Sequence, residues 1–220
     1  MAAMTKLDEI ALNIELVLIS IIEGVALTKL AENAVPLLRS TDSLQYLPYI
    51  LAGLAFLLVF WAQAILHAVS FIRWPLRMEH MLLYFVAGFL QVVAYSNISN
   101  ITVWFFWWTV FSLLTLFIYY VDLKIIRDTA ASFAAKSGGT EFIREVERRH
   151  INEMKYLVPS ALVFNIVAFS LTYFAPSLFV NPLPYSILGI LQLLISLGAL
   201  IDCVRNFRGR SGLLFSLFSS

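Results

Sequence analysis

Two carboxylates, Glu15 and Glu23, stand inside the first long apolar stretch of this 220-residue chain, where an acidic side chain at membrane depth is costly and is read first as functional. At 100° per helical residue, Asn13, Glu15, Ser20, Glu23 and Gly24 share one broad side, and Val17, Leu18, Ile21, Ile22 and Val25 fill the opposite arc. Such a helix has one lipid face and one inward face able to line a hydrated cation path. In the second apolar stretch Gln63, His67 and Ser70 recur at i, i+4 and i+7, a polar stripe that a purely lipid-facing helix would not carry. His67 and Glu15 come out at similar depth, which makes a proton-sensitive pair one use for them. The other use is structural, as hydrogen-bonded core residues, and the pattern alone leaves both open. Gln91, Asn165 and Gln192 lie near the middles of later apolar stretches, as helix-to-helix glue or as the wall of a wet path.

Enzyme chemistry finds little support. Metal or haem centres need several convergent ligands, and His67, His80 and His150 are the only histidines. Glu147 and His150 have the Glu-x-x-His spacing of di-iron bundles, but they sit among Arg144, Arg148 and Arg149, where a solvated charged face is expected. There is no Gly-rich phosphate loop and no nucleophile elbow. The sequence therefore predicts no enzyme, no cofactor and no metal. Cys203, the single cysteine, excludes an internal disulfide and reads as a small buried residue. Asp122 and Asp202 adjoin Lys124 and Arg205, as local ion pairs at helix ends would.

These residues are carried by a chain that is 60% hydrophobic and 13% charged, with a mean hydropathy of +0.84, a mixture that a water-facing surface cannot absorb. The lipid bilayer is its solvent. With a formal net charge of +1 there is no basic footprint for nucleic acid. A hydrocarbon core of ~30 Å takes about 20 residues of helix, and stretches of that order occur at 10–30, 48–72, 78–95, 102–123, 157–175 and 183–204. Turn chemistry separates them at 40–43, 73–75, 96–100, 137–139 and 181–184. Asn13, Glu15 and Glu23 interrupt the first stretch too much for a cleaved signal peptide, so it is read as a retained helix. The expected fold is all-α: one polytopic membrane domain, a six-transmembrane-helix bundle with a cytoplasmic helical hairpin over 124–156 between helices four and five.

Basic residues set the orientation. Lys6, Arg73, Arg77, Lys124, Arg127, Lys136, Arg144, Arg148, Arg149, Lys155, Arg205, Arg208 and Arg210 fall on one side of this plan, and Lys29 and Arg39 on the other. Both termini are then cytoplasmic, in a plasma or inner membrane. Trp104, Trp107 and Trp108 mark the outer start of helix four as interfacial anchors in this scheme. In the hairpin, Ser137-Gly138-Gly139 makes the turn, Thr140 caps the returning arm, and Phe133, Phe142 and Val146 pack the arms together or dock a cytoplasmic protein.

The six-helix, both-ends-inside plan, with the Phe60-Trp61 to His67 run ending in a basic turn, resembles the tetrameric potassium channels that lack a TVGYG filter. The Arg and Phe-Ser-Asp hallmark of helix one in that family is missing here, so the resemblance transfers no functional residue. Six short helices enclose little private space, and the leading expectation is an oligomeric channel or ion-permeable pore, cations favoured, built as a homo-oligomer and lined by Glu15, Ser20, Glu23, Gln63 and His67. The competing expectations are a non-conducting effector that recruits a cytoplasmic protein through the 124–156 hairpin, and a small secondary transporter. The topology is directly checkable: cysteines placed at Ser99 and Ser177 should react with an impermeant thiol reagent in intact cells, and one at Ser137 should react only after permeabilisation.

Overall fold

The computed structural model describes residues 6–41, 43–70, 78–134 and 139–219, which are helical apart from short turns, with no strand among them. The helices are α1 (Lys6–Leu38), α2 (Ser43–Ser70), α3 (Met78–Ser96), α4 (Ile101–Ala134), α5 (Gly139–Asn152), α6 (Val158–Phe174) and α7 (Pro182–Ser219). A π-helical turn, Glu153–Leu157, joins α5 to α6, and a 3-10 turn, Pro176–Phe179, follows α6.

Four segments are long and apolar enough to cross a bilayer: Ser43–Ile65, Ile101–Asp128, Ile143–Phe174 and Pro182–Phe207. At a rise of ~1.5 Å per residue the shortest, with 23 residues, is about 34 Å long against a hydrocarbon core of ~30 Å. This composition marks a membrane-associated chain. Leu82–Ser96 is apolar but shorter. α1 runs well beyond the 10–30 stretch at both ends, through Pro36 to the turn at Ser40 and Thr41.

The helices close into a ring in the order α1, α2, α7, α6, α4, α3, each packing on the next, with α6 and α7 touching only sparsely. Side chains reverse the pattern of a water-soluble bundle. Large apolar residues such as Phe85, Phe117 and Leu194 are more than half exposed on the outside, whereas Gln91, Asn165, Gln192 and Ser196 are buried. In lipid this is the favourable arrangement, since hydrocarbon solvates the apolar exterior and every polar group must be satisfied within the protein.

Aromatic rings fill the middle of the ring of helices. Tyr49, Tyr95, Trp104, Phe105 and Trp108 are at most 1% exposed. Trp104 meets Trp108 edge-on at 5.5 Å and Tyr49 at 6.2 Å, and Phe56 stacks on Trp108 at 4.6 Å, contacts worth about 0.5–1.5 kcal/mol each beyond area burial. The placement of Trp104 and Trp108 differs from an interfacial anchor role. Four residues apart, they share the inward stripe of α4, and the Trp104 indole N–H donates to Gln192 Oε1 at 2.8 Å. Trp107 is half-buried and Phe106 exposed on the flanking faces.

Small residues let the α2 and α7 backbones approach. A Cβ on Gly189 would lie 2.8 Å from Tyr49 Cε2 and 3.1 Å from Pro48 Cβ, while the Tyr49 hydroxyl donates to the Tyr185 carbonyl at 2.6 Å beside it. Gly189→Val should therefore destabilise the folded protein by about 1–3 kcal/mol through overpacking. Gly198→Val, on the same helix where a Cβ meets nothing within 4 Å, should be close to neutral, and denaturation in mild detergent compares the two.

Candidate functional site

The inward stripe of α4 organises the interior. Trp104, Trp108, Ser112, Thr115 and Tyr119 follow one another at three- or four-residue spacing, a file about 22 Å long at ~1.5 Å per residue. Apart from Trp108, each polar step meets another helix or the helix's own backbone. Trp104 reaches Gln192 on α7, and the Ser112 hydroxyl accepts from Asn165 Nδ2 on α6 at 3.2 Å while donating to the Trp108 carbonyl. The Thr115 hydroxyl donates to the Phe111 carbonyl. The Tyr119 hydroxyl donates to Glu153 Oε2 at 2.8 Å.

At the α5 end of the bundle this file opens into a charged network. Glu153, 5% exposed, accepts from Tyr119 and, through Oε1, from Asn206 Nδ2 at 2.7 Å. Asn206 also donates to Asp202 Oδ2 at 3.0 Å and accepts from Arg149, which is held by Glu145. Arg148 completes the group with a 2.7 Å bond to Glu145. His150, 1% exposed, stacks on the Tyr119 ring at 4.5 Å and lies 2.8 Å from the Tyr119 carbonyl through Nε2. Asp122 is buried beside them, and Lys124 is exposed.

The π-helical turn explains how a charged segment delivers these groups to the interior. Val146 and His150 of α5 and Glu153, the first residue of the turn, are buried at spacings of four and three; beyond the turn the buried positions resume at Val158, Asn165, Ala168 and Thr172. The step from Glu153 to Val158 is five residues, and the Val158 N–H donates to the Glu153 carbonyl. An extra residue in that turn keeps both ends on the inward face. Pro159, which has no N–H to donate back along the helix, sits just after it. Glu147 faces the other way and accepts from Arg127 Nε at 2.8 Å, tying α5 to α4. Among the described residues no three His, Cys, Asp or Glu side chains group closely enough to hold a metal ion.

The residues singled out from sequence are distributed as follows. Glu23 is 4% exposed on the buried stripe of α1, with Ile19, Ala26, Leu30 and Ala34, and its carboxyl is near enough to Tyr95 on α3 to interact with that hydroxyl electrostatically. Tyr95 itself donates to the Gly53 carbonyl at 2.9 Å. Ser20 lies on the exposed face of α1 and its hydroxyl donates to the Leu16 carbonyl; Asn13 and Gly24 are exposed too. Gln63 lines a central cavity of about 100 Å³, whose wall includes Phe56, Phe60, Trp108, Ser112, Thr115 and Tyr119. The side chains of Glu15, His67, Phe133 and Phe142 lie outside the described residues, and Val146 is buried.

Several interior polar atoms are left without a hydrogen-bond partner among the described residues: both carboxyl oxygens of Glu23, Gln91 Nε2, Trp108 Nε1, Asn165 Oδ1 and Gln192 Nε2. They come from five helices, α1, α3, α4, α6 and α7. Each such group costs about 1–3 kcal/mol if it stays dry and unpaired. Water or a polar guest is one way in which such groups are satisfied.

The Tyr119–Glu153 bond gives a direct test of the charged network. Tyr119→Phe keeps the ring stacked on His150 but removes the donor to a buried carboxylate, so stability should fall by about 1–3 kcal/mol. Combined with Asn206→Ala the loss should be less than additive, because both residues serve Glu153. A double-mutant cycle of unfolding in detergent measures this. The chain matches no protein-family model, no curated protein and no solved structure, so the chemistry of the site rests on its own residues.

Proposed function

We propose that this protein is an ion-permeable membrane protein, with protons or small cations passing along the inward stripe of α4 inside each bundle. The observation that carries the reading is the set of unpaired polar atoms donated by five helices to one interior. An ionisable group at membrane depth, here Glu23, is read as functional by default. Acidic residues stand toward both ends of the file, Glu23 near Tyr95 and Glu153 with Asp122 near Tyr119, and carboxylates favour cations over anions. The stretch between them is walled by Phe56, Phe60 and Phe111, an apolar section in which wetting and dewetting would gate the path.

The plan that accommodates this route has six transmembrane helices. α1 and α3 join the four long apolar segments, both termini are cytoplasmic, and the end of α4 with α5 forms a cytoplasmic helical hairpin held by Arg127 and Glu147. The strong bias of Lys and Arg to one side of this plan supports the orientation. Self-association is part of the proposal. Ser20, Gly24 and Thr28 repeat at four-residue spacing on the exposed face of α1, with both hydroxyls folded onto the helix backbone, a surface suited to close packing of a second copy. In this arrangement Ser20 serves the contact between copies and Glu23 and Gln63 serve the path.

Purified protein in liposomes should pass protons or potassium ions, read with an entrapped pH dye or by tracer flux. Glu23→Gln should lower that flux about tenfold or more with insertion and assembly unchanged, because an amide cannot focus cations. Wild-type protein without flux above empty liposomes overturns the proposal, and wild-type flux through Glu23→Gln removes Glu23 from the path.

A further inference from the structure

The exposed side of the helix that carries the π-helical turn has an order that the interior does not use. α5, the turn and α6 run on from one another, and Arg144, Arg148, Asn152, Lys155, Tyr156 and Ser160 follow along their outward stripe, all exposed. The stripe then turns apolar at Val163, Ile166 and Val167, which are exposed too. A face that passes from basic to apolar through a tyrosine marks the crossing from water into hydrocarbon. α6 has 17 residues and is about 26 Å long at ~1.5 Å per residue, close to a hydrocarbon core of ~30 Å. Lys155 and Tyr156, less than one turn before it, therefore stand at headgroup level.

Charge on this stripe is unbalanced. Among the described residues Arg144 and Lys155 pair with no carboxylate, and Arg148 shares Glu145 with Arg149. Arg205 of α7 adds an exposed cation at similar depth, since its neighbour Asn206 donates to Glu153, close before Lys155 in the chain. Arg148 and Lys155 stand at i and i+7 on one face, about 10 Å apart along the axis at ~1.5 Å per residue, so two long side chains can close on one phosphate from either side. Such contacts are charge-assisted hydrogen bonds, among the stronger kind. A free phosphate would use only this upper part of the stripe. A phospholipid would use the apolar part as well.

From the basic stripe, its depth and the apolar surface that continues it, we propose that the outer face of α5 and α6 is a binding site for an anionic phospholipid. The phosphate lies between Arg148 and Lys155, with the Tyr156 hydroxyl beside it, and the acyl chains lie on Val163, Ile166 and Val167. The site rests on α6 crossing the bilayer and not on ion permeation, so a protein that passes no ions would still hold the lipid.

Phosphatidylglycerol and phosphatidylcholine with the same acyl chains make a matched pair of probes that differ in net charge. Binding of each to the full chain in mild detergent is read by native mass spectrometry. Phosphatidylglycerol should bind at least fivefold more tightly, and Arg148→Gln with Lys155→Gln should bring that preference below twofold while phosphatidylcholine binding stays within twofold of wild type. Arg39→Gln, which removes an exposed cation at the turn after α1, should leave the preference unchanged. Soluble glycerol phosphate at the lipid's concentration should displace none of the bound lipid, because it lacks the apolar half of the contact. Equal affinity for the two lipids, a preference that survives the double substitution, or an equal loss with Arg39→Gln overturns the proposal. Displacement by glycerol phosphate overturns it as well, by showing a phosphate site that needs no lipid. If Arg148→Gln fails to fold, Lys155→Gln alone decides, with at least a twofold loss of preference expected.

Discussion

Hydrocarbon supplies no hydrogen bonds, so each polar group inside this bundle must be answered by another part of the chain or by a guest, and α4 is where most of those answers meet. Its inward stripe engages α7 through Trp104 and Gln192, α6 through Ser112 and Asn165, and the turn before α6 through Tyr119 and Glu153. Interior hydrogen bonds of this kind are modest one at a time in membrane proteins, commonly below about 2 kcal/mol. Their joint effect is positional. Two helices that have no apolar driving force to associate in lipid, and the turn that precedes one of them, are given one register against α4.

The rest of the packing follows from that register. Where side chains are small, as at Gly189 and Gly53, backbones and rings approach closely: a Cβ on Gly53 would meet Tyr95, Leu30 and Trp104 at 3.1–3.3 Å. Where they are large, aromatic rings fill the volume between helices too far apart to touch through backbone, as Phe56 of α2 does against Trp108 of α4. This combination packs tightly around most of the ring and thinly between α6 and α7.

The π-helical turn converts a charged surface segment into part of the interior. Arg144, Arg148 and Lys155 remain exposed, while His150 and Glu153 are carried inward on the same stretch of chain. Asn206 of α7 donates to the Glu153 carboxyl and accepts from Arg149 of α5, so the three form one chain of hydrogen bonds between the two helices.

Composition and the lengths of its apolar stretches were enough to read an all-helical, membrane-associated chain, because the cost of exposing 60% hydrophobic residues to water leaves no other solvent. A carboxylate as deep as Glu23 was legible as an inward residue for the same reason, and so was the place of Gln91, Asn165 and Gln192 between helices. The face of α1 was only half legible: Ser20 hides its hydroxyl on the Leu16 carbonyl and tolerates the outside, which a helical wheel cannot register. Trp104 and Trp108 fit an interfacial belt by type and position, and only the tertiary structure shows them inward, Trp104 against Gln192 and Trp108 stacked on Phe56. Glu153 and His150 were masked by their charged neighbours, with Pro159 the sole local hint that the helical phase shifts there. Helical periodicity follows from local backbone geometry and is written in the chain. Which polar residue finds which partner depends on the rotation and depth of helices far apart in sequence, and that is decided only when the bundle closes.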